Sequence, residues 1–325
     1  MSDPSSVVSA QSSRAASGTV SRALNDLVAQ AIGSVSAADD PELDALVARV
    51  KTDFGAALVG IILYGSYSRG ERDSLTDLYI LIDDYAHSGL AFWHGLLNRV
   101  LPPNVYQLEL DTGLRCKYAL LPLAQFQRCV QQDFHSYFWA RFAQPVRLLY
   151  ARDQRSRKAI VDAASDAVRQ FHREVARVTS GAVAAQAFWQ RGLGLTYGCE
   201  LRAESGKRAV DLAAANVDHF LQLTAAVAAE NDWPVSGEDI TVRFPSIELA
   251  SGERRWRLRR WWGKALSVLR LLKASATFNN GFEYLLWKIE RHSGIYVEPS
   301  PLAQKLPLLF GWPTFFKLYR LGAFR

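Results

Sequence analysis

LYGSYSRGERDSLTDLYILIDDY, Leu63 to Tyr85, is the stretch on which the fold turns. The residues leading into it, LVGIILYG, read as a short buried strand that ends at Gly65. A polar loop follows, and DLYILID reads as a second strand with Asp77 at its mouth. Ten residues separate Ser66 from Asp77. Glycine lets the backbone approach phosphates, Ser66 offers a hydroxyl and an amide, and a carboxylate can hold a divalent ion. The pattern therefore reads as a metal-and-triphosphate site, with Arg69 and Arg72 placed near a leaving pyrophosphate. The plainer reading is a tight turn and a strand cap. Side chains 77 and 79 share a strand face, so Tyr79 stands where a second carboxylate is expected. Asp83 and Asp84 lie roughly 20 Å further along, too far to share a metal with Asp77.

The bulk properties describe a folded chain. Its 325 residues are 49% hydrophobic and 22% charged, enough apolar content for one large core or two modest ones. Cys116, Cys129 and Cys199 form no close pair, so neither a disulfide framework nor a zinc site is expected, and they read as reduced thiols. No apolar run reaches the ~18 residues of a membrane span. The first twenty residues lack an apolar core, so a secretory signal is not expected.

An amphipathic helix is expected over 21–54, with a break near Ala37–Pro41, and another over Leu90–Val100, stopped by Pro102-Pro103. NVYQLELD and LRCKYALL form an expected hairpin turning at Asp111-Thr112-Gly113. The pattern is helical from Pro122 through Phe142, and VRLLY is a further strand. Beyond it, helical spacing covers Ser156–Ser180, continues over Gly181–Leu195, and returns over Val210–Glu230. These elements predict an α+β core to about residue 155 and a mainly helical remainder.

Hydrophobic-Gly-Ser followed by an aspartate after such a loop resembles the nucleotidyltransferase superfamily of DNA polymerase β, whose fold has a mixed sheet. Within it, Tyr64-Gly65-Ser66 and Asp77-Leu78-Tyr79-Ile80-Leu81-Ile82-Asp83-Asp84 resemble one family that lacks the second acid. These are the mitochondrial translocator-assembly-and-maintenance proteins, soluble-type CDP-diacylglycerol synthases (phosphatidate cytidylyltransferases). Asn104-Val105-Tyr106, Lys117-Tyr118, Asp133 with Arg141 and Pro145-Val146, and GLTYGCELR from Gly194 to Arg202 follow the family's order. Lys207, Arg208, Asn216 and His219-Phe220 continue it, so the resemblance spans roughly residues 60–225. Tyr67 and Ala119 replace family glycines, and Glu200 replaces an aspartate.

The resemblance implies Mg²⁺-dependent transfer of CMP from CTP to phosphatidate, giving CDP-diacylglycerol and pyrophosphate. It casts Asp77, Lys117 and Glu200 as catalytic, with Asp77 and Glu200 as metal ligands. Tyr64, Gly65, Ser66 and Arg69 bind the nucleotide, and Arg202, Lys207 and Arg208 bind phosphatidate. Asp133 and Arg141 are expected to form an ion pair that braces a helix, and Asp111, His219 and His292 to be structural. Three regions follow: a nucleotidyltransferase domain over 1–155 with its N-terminal helix, a helical, winged-helix-like domain over 156–245, and a basic aromatic region over 246–325.

The net charge of +6 is concentrated in that last region. ERRWRLRRWWGKALSVLRLLKASATF begins at Glu253, and the chain closes on GWPTFFKLYRLGAFR. Arg254, Arg255, Trp256, Arg259, Trp261 and Trp262 are expected to meet an anionic membrane surface. A peripheral protein on the cytoplasmic face of the inner membrane follows (the matrix face in a eukaryote), with no nucleic-acid partner. The rival readings are a transferase acting on an antibiotic, a protein or an RNA end, and an inactive RNA-binding relative.

Overall fold

The computed structural model describes residues 22–33, 40–67, 76–89, 92–201, 205–237, 240–244, 249–277, 286, 289–290, 293–305 and 310–322. Helix α1 (22–32) buries Leu24, Val28 and Ile32, one side chain per turn. Helix α2 (Pro41–Phe54) starts where the sequence signals it. Asp40 accepts hydrogen bonds from the backbone N–H groups of Glu42 and Leu43, and Pro41 occupies the first turn.

Five strands form one mixed sheet: β1 (Leu58–Tyr64), β2 (Thr76–Ile82), β3 (Asn104–Glu109), β4 (Arg115–Pro122) and β5 (Arg147–Ala151). Their spatial order is β3-β4-β2-β1-β5. The β2–β4 pair is parallel and the other three are antiparallel. β1 and β2 are almost wholly buried, which explains their unbroken apolar runs. Between β2 and β3 lies helix α3 (Phe92–Val100). The β3–β4 hairpin turns as expected. Gly113, at φ +81°, donates to the Leu110 carbonyl at 2.8 Å, and Leu110 donates to that of Leu114 at 2.9 Å.

Helices α4 (Leu123–Gln132), α5 (Trp139–Phe142) and α6 (Gln154–Ala176) pack beside the sheet. The single helix expected through Phe142 is broken at Asp133, whose backbone is extended. Its carbonyl accepts a hydrogen bond from the indole of the fully buried Trp139 at 3.1 Å. The expected continuation over Gly181–Leu195 also divides, into β6 (Gly181–Ala184) and α7 (Ala185–Tyr197). Four residues are too few to show alternation, and β6 is defined by a distant partner, β8 (Thr241–Phe244), which also pairs with β7 (Val235–Ser236). Val210–Glu230 is two helices, α8 (Ser205–Ala215) and α9 (Val217–Glu230), parted at the non-helical Asn216. One hydrophobic core runs from Leu24 to Trp256 and crosses the boundary expected at 155.

Helix α10 (Leu249–Thr277) contains the basic aromatic segment. One of its faces is an internal surface. A Cβ on Gly252 would meet the Arg177 carbonyl oxygen at 2.1 Å, and one on Gly263 would meet that of Cys199 at 2.4 Å. Glu174 of α6, 2% exposed, accepts from Arg255 at 3.0 and 3.1 Å and from Arg259 at 2.6 Å. The Arg259 guanidinium also lies over Trp256 at 4.4 Å and Phe134 at 4.9 Å. Further along, the buried Lys273 donates to Asn98 Oδ1 and to the carbonyls of Leu101 and Pro103. Of the six residues expected at a membrane, Trp256 and Arg259 are therefore interior, because a buried carboxylate and three aromatic rings claim them. Arg255 is half-buried against the same carboxylate. Arg254, Trp261 and Trp262 are exposed. Helices α11 (Pro301–Lys305) and α12 (Trp312–Arg320) lie beyond, where Leu272, Val297, Ala303, Phe315 and Leu318 share a second, small core.

Burial alone would raise the Glu174 carboxyl, but the hydrogen bonds and charges of Arg255 and Arg259 outweigh it and hold it below its ordinary 4.5. Its stabilisation is present above about pH 4.5 and is lost as the pH falls through the lower folded value. Glu174→Gln leaves Arg259 buried and unpaired, with an expected cost of about 3–5 kcal/mol at neutral pH. The variant should also lose less stability than wild type on acidification, because the titrating group is gone. Denaturant melts at pH 7 and pH 4 measure both effects; equal stability at pH 7 would show that the ion pair does not hold α10.

Candidate active site

Sheet register brings the first group of residues together. Tyr64 of β1 stands beside Asp77 of β2, which stands beside Lys117 of β4. Residues opposite one another project from the same face, so hydroxyl, carboxylate and ammonium form one row. β1 ends at Gly65, in the left-handed region at φ +83°. A Cβ there would lie 3.0 Å from Asp77 Oδ2, so only glycine leaves the carboxylate its place. Ser66 follows in the turn, half-buried. Tyr67 points away from the turn, and its hydroxyl lies 3.1 Å from both Asp40 Oδ2 and Glu42 Oε2.

Tyr79 lies two residues along β2 from Asp77 and is fully buried. Its ring packs on Tyr64 and Phe142, each at 4.8 Å between centroids, and its hydroxyl accepts from Arg141 Nη1 at 3.0 Å. Tyr79 thus positions a cation above the same sheet face. Arg141 lies 5.3 Å from the Tyr64 ring and 4.2 Å from the Tyr137 ring, and its Nη2 is 3.7 Å from Glu200 Oε2. Glu200 follows the end of α7, where Gly263 of α10 presses on the neighbouring Cys199 carbonyl. Arg270 of α10 completes the group, 4.1 Å from the Tyr137 ring.

The electrostatics follow from burial and from the two guanidiniums. Burial raises the Tyr64 hydroxyl, Arg141 opposes this, and Asp77 and Glu200 add to it, so both carboxylates bear on one ring. Burial raises Tyr79 as well. For Tyr137 burial works upward too, but the charges of Arg141 and Arg270 outweigh it and bring its hydroxyl below the ordinary value. Burial lowers Arg270.

Asp77, Lys117, Tyr64, Gly65 and Ser66 occupy one corner, and Glu200 reaches it through Arg141. The expected ion pair of Asp133 with Arg141 is not formed: the chain breaks between α4 and α5, so Asp133 meets His135 at 3.3 Å while Arg141 turns to Glu200. Lys207 and Arg208 are exposed on α8. Arg69, Arg72, Arg202 and His292 lie outside the described residues. Asp83 and Asp84 serve the far end of β2, paired with His87 at 3.1 Å and Arg99 at 2.8 Å. Asp111 is exposed in the hairpin turn. Tyr137 and Arg270 were not expected at the site. Tyr137 sits in an aromatic run without a period, and Arg270 lies in a segment whose composition suggests a surface.

The donor set suits a hard divalent cation, although no group of three or more His, Cys, Asp or Glu gathers among the described residues. Mg²⁺ is commonly held by one or two carboxylates together with substrate phosphates. Asp77, next to Gly65, supplies one such carboxylate, with hard oxygens and no thiolate. Comparison with protein-family models and with curated proteins returns no match.

Gly65→Ala forces a side chain into left-handed backbone and against Asp77. It is expected to cost about 1–2 kcal/mol of stability. A difference in thermal unfolding measures this, and an unchanged midpoint would mean that the turn does not have this geometry.

Proposed function

We propose that the chain transfers CMP from CTP to phosphatidate, releasing pyrophosphate and forming CDP-diacylglycerol. The observation that carries this reading is the Tyr64–Asp77–Lys117 row with Gly65 closed onto the carboxylate. The ordered resemblance over residues 60–225 gives the substrate class. Gly65 and Ser66 approach the triphosphate through their backbone, and Lys117 brings a positive charge beside it. Asp77, with triphosphate oxygens, would hold Mg²⁺, which when bound offsets negative charge on the nucleotide. Glu200 keeps Arg141 over the sheet face instead of acting as a second ligand.

An oxygen of the acceptor's phosphomonoester attacks the α-phosphorus, and the bond from that phosphorus to the bridging oxygen of the β-phosphate breaks. Pyrophosphate leaves with the electron pair. The attacking oxygen is already anionic, so no strong general base is required. The protein's task is alignment and the gathering of positive charge. The lipid acceptor calls for contact with a bilayer. Arg254, Trp261 and Trp262 present charge and aromatic rings on the outward face of α10, with Trp261 65% and Trp262 45% exposed. No helix among the described residues is long and apolar enough to cross a membrane.

The test is purified protein with CTP, Mg²⁺ and phosphatidate in detergent micelles, assayed for a cytidine-bearing lipid. Product is expected with CTP and not with ATP, and Asp77→Asn should lower turnover about a hundredfold or more. Folded protein that forms no such lipid would refute the reading. Vesicle pelleting should require anionic lipid, weaken with salt, and fall in a Trp261→Ala, Trp262→Ala double variant. Equal recovery in the supernatant with and without anionic vesicles would remove the membrane role.

A further inference from the structure

Arg141 and Arg270 are 129 residues apart in the chain and both pack on one ring, with guanidinium carbons 4.2 and 4.1 Å from the Tyr137 centroid. Two cations brought this close out of bulk water repel each other and need compensating negative charge. The available compensation is thin. Glu200 is 3.7 Å from Arg141, beyond hydrogen-bond distance, and Asp133, beside a His135 imidazole that burial pushes down to about 3, acts on Arg270 only through space. Each guanidinium carries five N–H groups. Arg141 donates one to Tyr79, while Arg270 donates to Pro102 O at 2.8 Å and meets His135 Nε2 at 3.3 Å. Arg141 also hydrogen-bonds the Tyr137 hydroxyl, which leaves each guanidinium with N–H groups to spare for a further acceptor. The Arg141 side chain keeps 15% of its surface exposed, so the pair can be reached from outside.

We propose that Arg141 and Arg270, joined by Tyr137, bind the phosphomonoester of the acceptor. The planar forks match two phosphate oxygens each, and a dianion supplies the missing charge. This rests on the reading above for which substrate carries the phosphate, while the anion site itself stands on geometry alone. Position separates it from the nucleotide's phosphates. Tyr79, which holds Arg141, lies two residues or roughly 7 Å along β2 from Asp77, so the two groups are offset along the strand. Arg270 also shares α10 with the exposed Trp261 and Trp262, about two and a half turns or ~13 Å away. One helix then offers aromatic rings to the bilayer and a guanidinium to the head group. Lys207 and Arg208, exposed on α8, are not part of this site.

Titration calorimetry on the full chain, without nucleotide, tests the assignment. The probes are dioctanoyl phosphatidate, dioctanoylglycerol and inorganic pyrophosphate. The variants are Arg141→Gln, Arg270→Gln and Arg270→Lys, with Arg49→Gln, whose partner is Asp53 on the surface of α2, as control. Wild type and the control should bind dioctanoyl phosphatidate alike and dioctanoylglycerol at least tenfold more weakly. Both glutamine variants should weaken phosphatidate binding tenfold or more. Arg270→Lys should fall between, because it keeps charge and loses the fork; it decides the question if circular dichroism shows that a glutamine variant is unfolded. Unchanged phosphatidate binding in folded variants overturns the proposal. So does a loss confined to pyrophosphate, which would give the pair to the nucleotide. Phosphatidate binding that depends on both arginines, in a protein that makes no cytidine-bearing lipid, would sustain the site and refute only the reaction. Turnover with unaltered binding in the variants would do the reverse.

Discussion

Everything near the site depends on one buried ion pair, Arg259 with Glu174. The carboxylate lies on α6, at the centre of the main core, and the guanidinium lies on α10 among Phe134, Trp139 and Trp256. Removing two charges from water is costly, and the compensation comes from three sources: a short hydrogen bond, a second arginine at 255, and the aromatic faces. Once α10 is seated, Gly263 fixes the backbone at Cys199 and with it the start of the Glu200 side chain. Further down the helix, Arg270 reaches Tyr137 and Lys273 ties α10 to the loop before β3. A segment that looks like a detachable basic tail is a structural member of the wall around the candidate site.

This seating changes what the absence of a second strand carboxylate means. Tyr79 is part of the core and not a vacancy. Its ring fills the space between Tyr64 and Phe142, and its hydroxyl fixes Arg141. Positive charge therefore gathers on the sheet face where a second acid would have brought negative charge. An acceptor that arrives as a phosphate suits that exchange better than a neutral hydroxyl does, because it brings its own anion.

The strands of the central sheet were legible because their signals are local. LVGIILYG and DLYILID are continuous apolar runs, Gly113 marks the hairpin turn, and Asp40-Pro41 marks a helix start. The row of Tyr64, Asp77 and Lys117 could be foreseen only as far as the motif and the resemblance reached; the register itself had to be seen. β6 escaped because its partner lies some sixty residues away and its four residues have no period. The basic aromatic character of α10 was legible, but the burial of Arg259 and Lys273 was not. Arginine and lysine are ordinarily surface residues, and a sequence does not show that Glu174 and Asn98 wait to receive Arg259 and Lys273. Arg141 was matched by position and its partner mistaken: the chain leaves the helix at Asp133, which meets His135, and Arg141 turns to Glu200.

The most direct measurement of the central claim is a crystal structure with Mn²⁺ in place of Mg²⁺ and a non-hydrolysable CTP analogue, the metal located by anomalous scattering. The account predicts a peak against Asp77, with the triphosphate lying along Gly65 and Ser66 and its α-phosphorus turned toward Arg141. A metal and nucleotide bound away from Asp77 and Gly65 would contradict it.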